Sequence, residues 1–453
     1  MLPYKTRWIF LLFTGYIFYG YLHPQFLILL FLSTFVDYLF ALKIYNAKGV
    51  FEKRTYLAIS LVFNISLLFI FKYLSMFLPD ADPMLVNIKK ATEPVKGMIM
   101  DAIYFSIPIG ISFYTFQSLS YTFDVYFKKI EPQTNFARYA TFVAYFPQLV
   151  AGPIERYKHL SSQLFANHKP VYANFSKGFR LLLMGFFLKM CIADNCGTYT
   201  NLIFENYKNY NGISILTGII FFGLQIYTDF AGYTLIALGS SICMGIELMD
   251  NFRTPYLSTS ISNFWKRWHI SLTTWFKDYL YIPLGGNKVS IPRWIFNILL
   301  VFLISGFWHG ANYTFIIWGA IHAFAYLAEH FTKPYINLSE SKHKILRIAG
   351  GIKTFAIVSL AWVFFRAETI TDANDIIYMV FNSTTSGNLQ IDFKIWIVLA
   401  VFVVFDAMLL NNRIDNFLVT KSKIFRWSIY FLLLACILMF SATVKHPFVY
   451  FQF

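Results

Sequence analysis

Charge is scarce in this sequence. Only 13% of its 453 residues are Asp, Glu, Lys or Arg, against about 25% in ordinary soluble domains. With 57% of residues hydrophobic, this shortage excludes a soluble globular protein and leaves a polytopic membrane protein. Because lipid satisfies no backbone polar group, the apolar runs read as helices. The fold class expected is all-α, a transmembrane bundle of about 10–12 spans with re-entrant or interfacial helices. Cysteine is almost missing too. Cys191, Cys196, Cys243 and Cys436 form no CxxC pair and lie in or beside apolar runs, so they read as small buried residues, with no disulfide framework and no metal. There is no GxxxxGK[ST] phosphate loop, no GxSxG elbow and no HExxH. ATP hydrolysis, a self-contained serine esterase and a zinc enzyme are therefore not expected. No internal repeat, low-complexity tract or Gly/Ser linker divides the chain, which reads as one domain over 1–453.

What charge there is leans one way. The net charge of +15 belongs first to cytoplasmic loops and anionic headgroups, so membrane lipids are expected partners and nucleic acid is not. Apolar runs lie at about 8–22, 25–44, 56–78, 102–123, 178–193, 212–249 (long enough for two spans), 346–365, 393–411 and 425–442. The residues Met1 to Arg7 imitate a signal peptide, but no small-residue cleavage site follows and a second apolar run comes at once. A retained first span is the reading. Basic stretches Lys43 to Arg54 and Lys128 to Arg138 alternate with a mixed stretch, 79–101, that carries Asp80, Asp82 and Asp101. That alternation puts the N-terminus, 45–55 and 127–138 in the cytoplasm. Residues 139–153 are too short for a span and are broken by Pro147 and Gly152-Pro153, which predicts a re-entrant or interfacial element. Residues 256–283, amphipathic and aromatic, are expected partly in the interface.

The most informative stretch runs from Trp294 to Ala328 without one charged residue. As a single straight helix its 35 residues would reach roughly 52 Å, against a hydrocarbon core of about 30 Å. It must break, and Gly306 and Gly310, flanking Phe307-Trp308-His309, are the natural place. His309 and Asn312 then sit with freed backbone where lipid satisfies neither. Such irregular backbone survives only when packed in protein or lining a cavity, and an intramembrane ionisable residue there points to function. Forty residues upstream, His269 stands beside Trp268, Lys266 and Arg267. The breaker Pro283-Leu284-Gly285-Gly286 lies between, so the two histidines occupy different elements free to converge. His269 alone also fits an interfacial residue meeting headgroups. His322 and His330 read as satisfied helix histidines. Gln225 and Asp229, four apart, share one face of an apolar helix, and a carboxylate there needs a partner or water; Asp229 reads as support for a site.

The wording FWKRWHISLTTWFKDYLYIPLGG followed by SGFWHGANYTFIIWGAIHA resembles the membrane-bound O-acyltransferase family, and within it the bacterial alginate and peptidoglycan O-acetyltransferase membrane subunits. The resemblance covers about 105–323, including Ser106 to Tyr121, Phe146 to Tyr157 and Gly223 to Tyr233. It implies a helical fold around a central tunnel in the bacterial inner membrane. It also implies His309 as catalytic base and His269 as the second polar residue of the site, orienting substrate or polarising the acyl carbonyl. A neutral imidazole takes the proton of an acceptor hydroxyl as that oxygen attacks a thioester, then returns it to the thiolate. Asn312, Asp229, Gln225, Trp308, Tyr114 and Gln117 are then expected to support substrate and tunnel. Arg156, Lys266 and Arg267 are expected to meet an anionic donor, although a headgroup contact suits Arg156 equally. The donor implied is acetyl-coenzyme A, a substrate, with no bound cofactor. The product is an O-acetylated cell-envelope or secreted polysaccharide, and the partner a periplasmic SGNH-type acetyltransferase. Two rivals stand beside this: transfer of D-alanyl or a lipid acyl group, and a transporter of polysaccharide precursors, whose paired broken helices in inverted repeats are not visible here.

Overall fold

The computed structural model describes all residues except 1–5, 22–23, 78–107, 170, 336–337, 340, 342, 411 and 452–453; the acidic stretch 79–101 and Ser106 lie outside the described residues. Among the described residues there are helices and no strand, and seven helices are long and apolar enough to cross a membrane. Two other apolar runs form shorter helices, of 14 residues at Arg7–Gly20 and 17 at Phe393–Leu409. The chain divides into two compact units, Met1–Val171 with Met244–Met249, and Tyr172–Cys243 with Asp250–Phe453.

In the first unit, α1 (Arg7–Gly20), α2 (Phe26–Asn46), α3 (Val50–Leu68, continued by a π turn to Tyr73) and α4 (Ile111–Tyr126) follow the apolar runs. The buried carboxylate of Asp37 on α2 accepts hydrogen bonds from Ser60 (2.6 Å) and Asn64 (2.8 Å) of α3, which ties these two helices side by side. Helix α4 is launched by Gly110 at φ +75°. A Cβ there would lie 2.9 Å from the carbonyl oxygens of Leu149 and Val150, so glycine is required on both counts. The broken stretch 139–153 becomes α5 (Phe136–Val143) and α6 (Phe146–Leu149), and α7 (Tyr157–Leu164) follows. Pro147 sits in the first turn of α6, where its missing N–H costs nothing.

The second unit carries the longest helices. α8 (Tyr172–Phe186) runs through a π turn, Phe187–Ala193, into α9 (Asp194–Asn206). The run at 212–249 is not two spans: it forms α10 (Gly212–Cys243), one helix of 32 residues. No proline interrupts it, and its polar Gln225 and Asp229 are buried inside the unit rather than facing lipid. Short helices α11 (Ile261–Trp265) and α12 (Ile270–Phe276) lead to α13 (Ile291–His309) and α14 (Tyr313–Thr332). The breaker before α13 turns as expected, with Gly285 at φ +99° and Gly286 at φ +57°, and the Asn297 amide of α13 ties it down by donating to the carbonyls of Leu284 and Gly286. α15 (Lys344–Arg366), α16 (Ile370–Asn382), α17 (Phe393–Leu409), α18 (Ile414–Val419) and α19 (Lys423–Phe440) complete the unit. The residues after α19 turn back into its interior.

Candidate active site

The uncharged stretch breaks after His309, not on both sides of it. Gly306 stays helical, and α13 ends at His309, with Gly310, Ala311 and Asn312 making the reversal. Gly306 serves packing instead: a Cβ on it would lie 2.3 Å from the Phe315 carbonyl oxygen, and one on Gly319 would lie 2.4 Å from that of Phe302. Two glycines facing each other let α13 and α14 touch backbone to backbone, as small residues do between membrane helices. Asn312 caps α14, its side chain accepting from Thr314 N (3.1 Å) and donating to Glu368 O (2.7 Å). Both ends of its amide thus hold backbone, and the reversal presents His309 at a helix terminus. His309 is 5% exposed, and its ring is walled by Trp308 (4.9 Å between centroids), Trp318 (5.0 Å), Phe365 (5.1 Å) and Tyr450 (5.6 Å).

His269 reaches the same rings from another direction. It lies 6.2 Å from Trp308 and 6.2 Å from Tyr450, and edge-to-face on Phe230 at 4.7 Å. Trp308 and Tyr450 therefore each touch both histidines, so chain segments forty residues apart meet in one aromatic chamber. His269 lies outside the membrane-spanning helices, and full burial pulls its imidazole down to about 3, which keeps it neutral. Its backbone is left-handed, φ +41°, at the residue that starts α12. This conformation is uncommon for a side chain with a Cβ, and the two residues that follow it are held by Asn251. Asn251 takes the Ile270 N–H on its carbonyl (2.9 Å), and its side-chain oxygen takes the Ser271 hydroxyl at 2.6 Å. Buried Asn251 is a positioning residue that the sequence did not single out.

Asp229 is buried on α10. Its carboxylate pairs with Lys189 at 2.8 Å and accepts the Val449 N–H at 2.7 Å. Lys189 also pairs with Asp194 (2.8 Å) and donates to the His446 carbonyl (3.0 Å). The two bonds to residues 446 and 449 pin the segment after α19, and so place Tyr450 against the histidines. Phe230, the neighbour of Asp229, supplies the ring under His269. Gln225, buried one turn before Asp229, packs beside Gly197. Sequence reasoning missed both Lys189 and Tyr450. Lys189 offered a signal, as a cation inside an apolar run. Tyr450 offered none, because nothing in the sequence sets it apart among the 30 tyrosines of the chain.

The remaining expected residues scatter. Lys266 and Arg267 diverge: the Arg267 guanidinium turns to Thr254, donating to its carbonyl and hydroxyl (3.5 and 3.4 Å), while Lys266 lines an open cavity. Tyr114, Gln117 and Arg156 belong to the first unit. There Tyr114 packs edge-on to Tyr19 (6.2 Å), Gln117 donates to the Phe142 carbonyl (2.9 Å), and Arg156 precedes α7. His322 departs from its reading as a satisfied helix histidine. It is fully buried, stacked on Phe264 (6.1 Å) and edge-on to Trp265 and Trp318 (4.9 Å each), and neither ring nitrogen has a hydrogen-bond partner among the described residues. The reason is its surroundings, which are rings rather than carbonyls. His330 packs tilted against Trp294, 4.4 Å between ring centroids.

Comparison with known proteins meets this geometry. The model of the membrane-bound O-acyltransferase family matches residues 128–365, a stretch that takes in both histidines, Asn251, Asp229, Lys189 and Phe365. The chain is 37% identical over 372 residues to the probable alginate O-acetylase of Pseudomonas syringae pv. tomato, covering 81% of this chain and 68% of that protein. It is 34% identical over 383 residues to the peptidoglycan O-acetyltransferase of Helicobacter pylori, with 79% and 70% covered. Similarity to the teichoic acid D-alanyltransferase of Bacillus subtilis is narrower, 31% over 225 residues, covering 48% and 57%. With several helices able to cross a membrane and two imidazoles enclosed in one aromatic chamber, this chain belongs to the membrane-bound O-acyltransferase family and is an acyltransferase.

Proposed function

We propose that this acyltransferase takes an acetyl group from cytoplasmic acetyl-coenzyme A and passes it across the bacterial inner membrane, for O-acetylation of a cell-envelope or secreted polysaccharide. The observation that carries the reading is the shared chamber, with His309 at a helix break and His269 opposite, both against Trp308 and Tyr450. Similarity to the alginate and peptidoglycan enzymes supports the acetyl group and the polymer.

In this reading the acceptor hydroxyl oxygen attacks the thioester carbonyl while the neutral His309 imidazole takes its proton. The tetrahedral intermediate collapses, the C–S bond breaks, and the imidazolium returns the proton to the departing thiolate. An ester and a free thiol result. His269, held neutral, orients the thioester by hydrogen bonding and adds no charge. Buried aromatic walls keep water from competing for the acyl group.

Among the described residues no soluble domain stands ready to grip a polymer outside the membrane. Nearly all its described residues belong to apolar helices and short connections, whereas a stable soluble domain generally needs at least about 40–60 residues. A periplasmic SGNH-type acetyltransferase is the partner proposed to finish the transfer. The test is reconstitution in liposomes, with acetyl-coenzyme A inside and polymer outside. Polymer acetylation is expected only with the partner present, alongside slow loss of acetyl-coenzyme A without it. Efficient acetylation by this chain alone would overturn the two-protein scheme, and no consumption of the thioester under either condition would overturn the whole reading.

A further inference from the structure

Among the described residues, four non-glycine residues have a positive φ: Lys128, Thr254, His269 and Leu410. The last three lie on segments that are bonded to one another. The residues on either side of Trp268-His269 pair with the 251–253 segment. The Ile270 N–H donates to the Asn251 carbonyl (2.9 Å), and the Arg253 N–H donates to the Arg267 carbonyl (3.0 Å). Two backbone bonds thus bracket His269, so its place depends on the place of 251–253. Left-handed backbone at a residue with a Cβ persists only where the surroundings over-determine it.

The elbow between α17 and α18 supplies that restraint. At one end of the segment, the Thr254 hydroxyl donates to the Leu410 carbonyl (3.2 Å). At the other end, the Asp250 carboxylate takes Arg413 on one oxygen (3.0 Å) and Arg253 on the other (3.1 Å). Arg413 is itself anchored, because its Nε and Nη2 form a fork on the buried carboxylate of Asp415 (3.1 and 3.0 Å). Its Nη1 is the atom that reaches Asp250. A planar guanidinium can fork one carboxylate and reach a second, whereas a lysine ammonium is a point charge without that geometry. The neighbourhood is not packed solid. A cavity of about 60 Å³ adjoins the bridge, lined by Asp250, Asn251, Thr254 and Arg413 among others, so the segment has room to shift once the guanidinium is gone.

We propose that Arg413 is a positioning residue for acyl transfer: it bridges Asp415 to Asp250 and so holds the 251–253 segment that sets His269. Arg413 lies beyond residues 128–365, the stretch that the family model matches. The inference goes past the function proposed above and rests on His269 serving that reaction.

The experiment uses the full chain in nanodiscs, with acetyl-coenzyme A consumption and the thermal midpoint both measured. Arg413→Lys keeps the charge and loses the fork. Its kcat is expected to fall about tenfold while KM stays within about twofold, since a displaced site residue slows the chemistry more than it weakens binding. Asp250→Asn, which keeps the size of the side chain, is expected to do the same. Arg180→Gln is the structural control. Arg180 donates to the Tyr430 hydroxyl (2.7 Å) and the Asp415 carbonyl (3.5 Å), so its loss loosens the same corner without cutting the bridge to Asp250. A lower thermal midpoint with wild-type kcat is expected there. The route is read by adding Arg413→Lys to His269→Ala, with residual turnover followed by radiolabelled donor. No further loss is expected, because residues acting through one group are not additive. Wild-type kcat in both Arg413→Lys and Asp250→Asn, an equal loss of kcat in Arg180→Gln, or a further tenfold loss in the His269→Ala background would each overturn the proposal. Should Arg413→Lys fail to fold, Asp250→Asn carries the same comparisons. An impaired His269→Ala beside a fully active Asp250→Asn would sink the bridge alone, whereas His269→Ala at the wild-type rate would sink the reading of His269 and the bridge with it.

Discussion

His309 and Asn251 show how differently two buried side chains serve one chamber. His309 is walled by aromatic rings and has the chemistry of a base; Asn251 has only the chemistry of a clamp. His309→Gln, which keeps bulk and a hydrogen-bonding end, is expected to lower acyl transfer by about 10²–10⁴ while leaving the thermal midpoint close to wild type; transfer at the wild-type rate would dismiss His309 as the base. Asn251→Ala keeps the backbone bond from Ile270 and loses the side-chain bond from the Ser271 hydroxyl that steadies the turn at His269. Turnover is expected to fall by at least about tenfold, since a misplacement of about 1 Å can cost that and more, with KM for the donor little changed. A parallel rise in KM would instead assign Asn251 to binding. His159 offers a titration away from the site. Its Nδ1 lies 2.7 Å from the Glu155 carboxylate, and that hydrogen bond raises the imidazole above its ordinary value. A raised folded value means the stabilisation is full below the unfolded value of about 6.5 and is lost as pH rises through the folded one. The difference in thermal midpoint between wild type and His159→Gln is therefore expected to be larger near pH 5.5 than near pH 9; a pH-independent difference would contradict the pair.

At the scale of elements, the π turn at Phe187–Ala193 and the mid-point of α10 act as one device. The π turn carries Lys189 to Asp194 and Asp229, and the remaining bonding capacity of this trio holds the chain at His446 and Val449. Lys189→Met would leave two carboxylates facing each other inside the bundle. Removing one partner of a buried pair costs about 3–5 kcal/mol, and a clear drop in thermal stability in detergent is expected, together with loss of transfer because Tyr450 is released. Combining it with Asp194→Asn and Asp229→Asn, which removes both uncompensated charges, is expected to recover stability more than activity. Recovery of both would mean that the 446–450 segment does not need this anchor.

At the scale of the whole molecule, the basic connections of the first unit are expected to set orientation. Lys43 to Arg54 and Lys128 to Arg138 follow the rule that short cytoplasmic loops gather Lys and Arg. The variants Lys48→Cys and Lys129→Cys are expected to react with a membrane-impermeant thiol reagent only from the cytoplasmic side. The native background is low, because Cys191, Cys196 and Cys436 are buried and Cys243 is only partly exposed. Labelling of both positions from outside would invert the chain in the bilayer and, with it, the donor's side.

Helices, their apolar faces and the break near His309 were legible in the sequence because they are set locally. Thirty-five uncharged residues are too long to cross once, and Pro147, Gly285 and Gly286 are breakers wherever they occur. The pairing of His309 with His269 was legible only as two loaded residues on separate elements. What the sequence did not determine is which residues meet across distance. That α10 stays one helix, that Gly306 and Gly319 bring α13 against α14, and that Asn251 bends the backbone at His269 all depend on partners far along the chain. Lys189 and Tyr450 join the site through an ion pair and a ring contact, neither of which has a sequence period. Local propensity and hydrophobic period fix elements; the dry interior, where every carboxylate needs a partner and every ring a neighbour, decides which side chains come together.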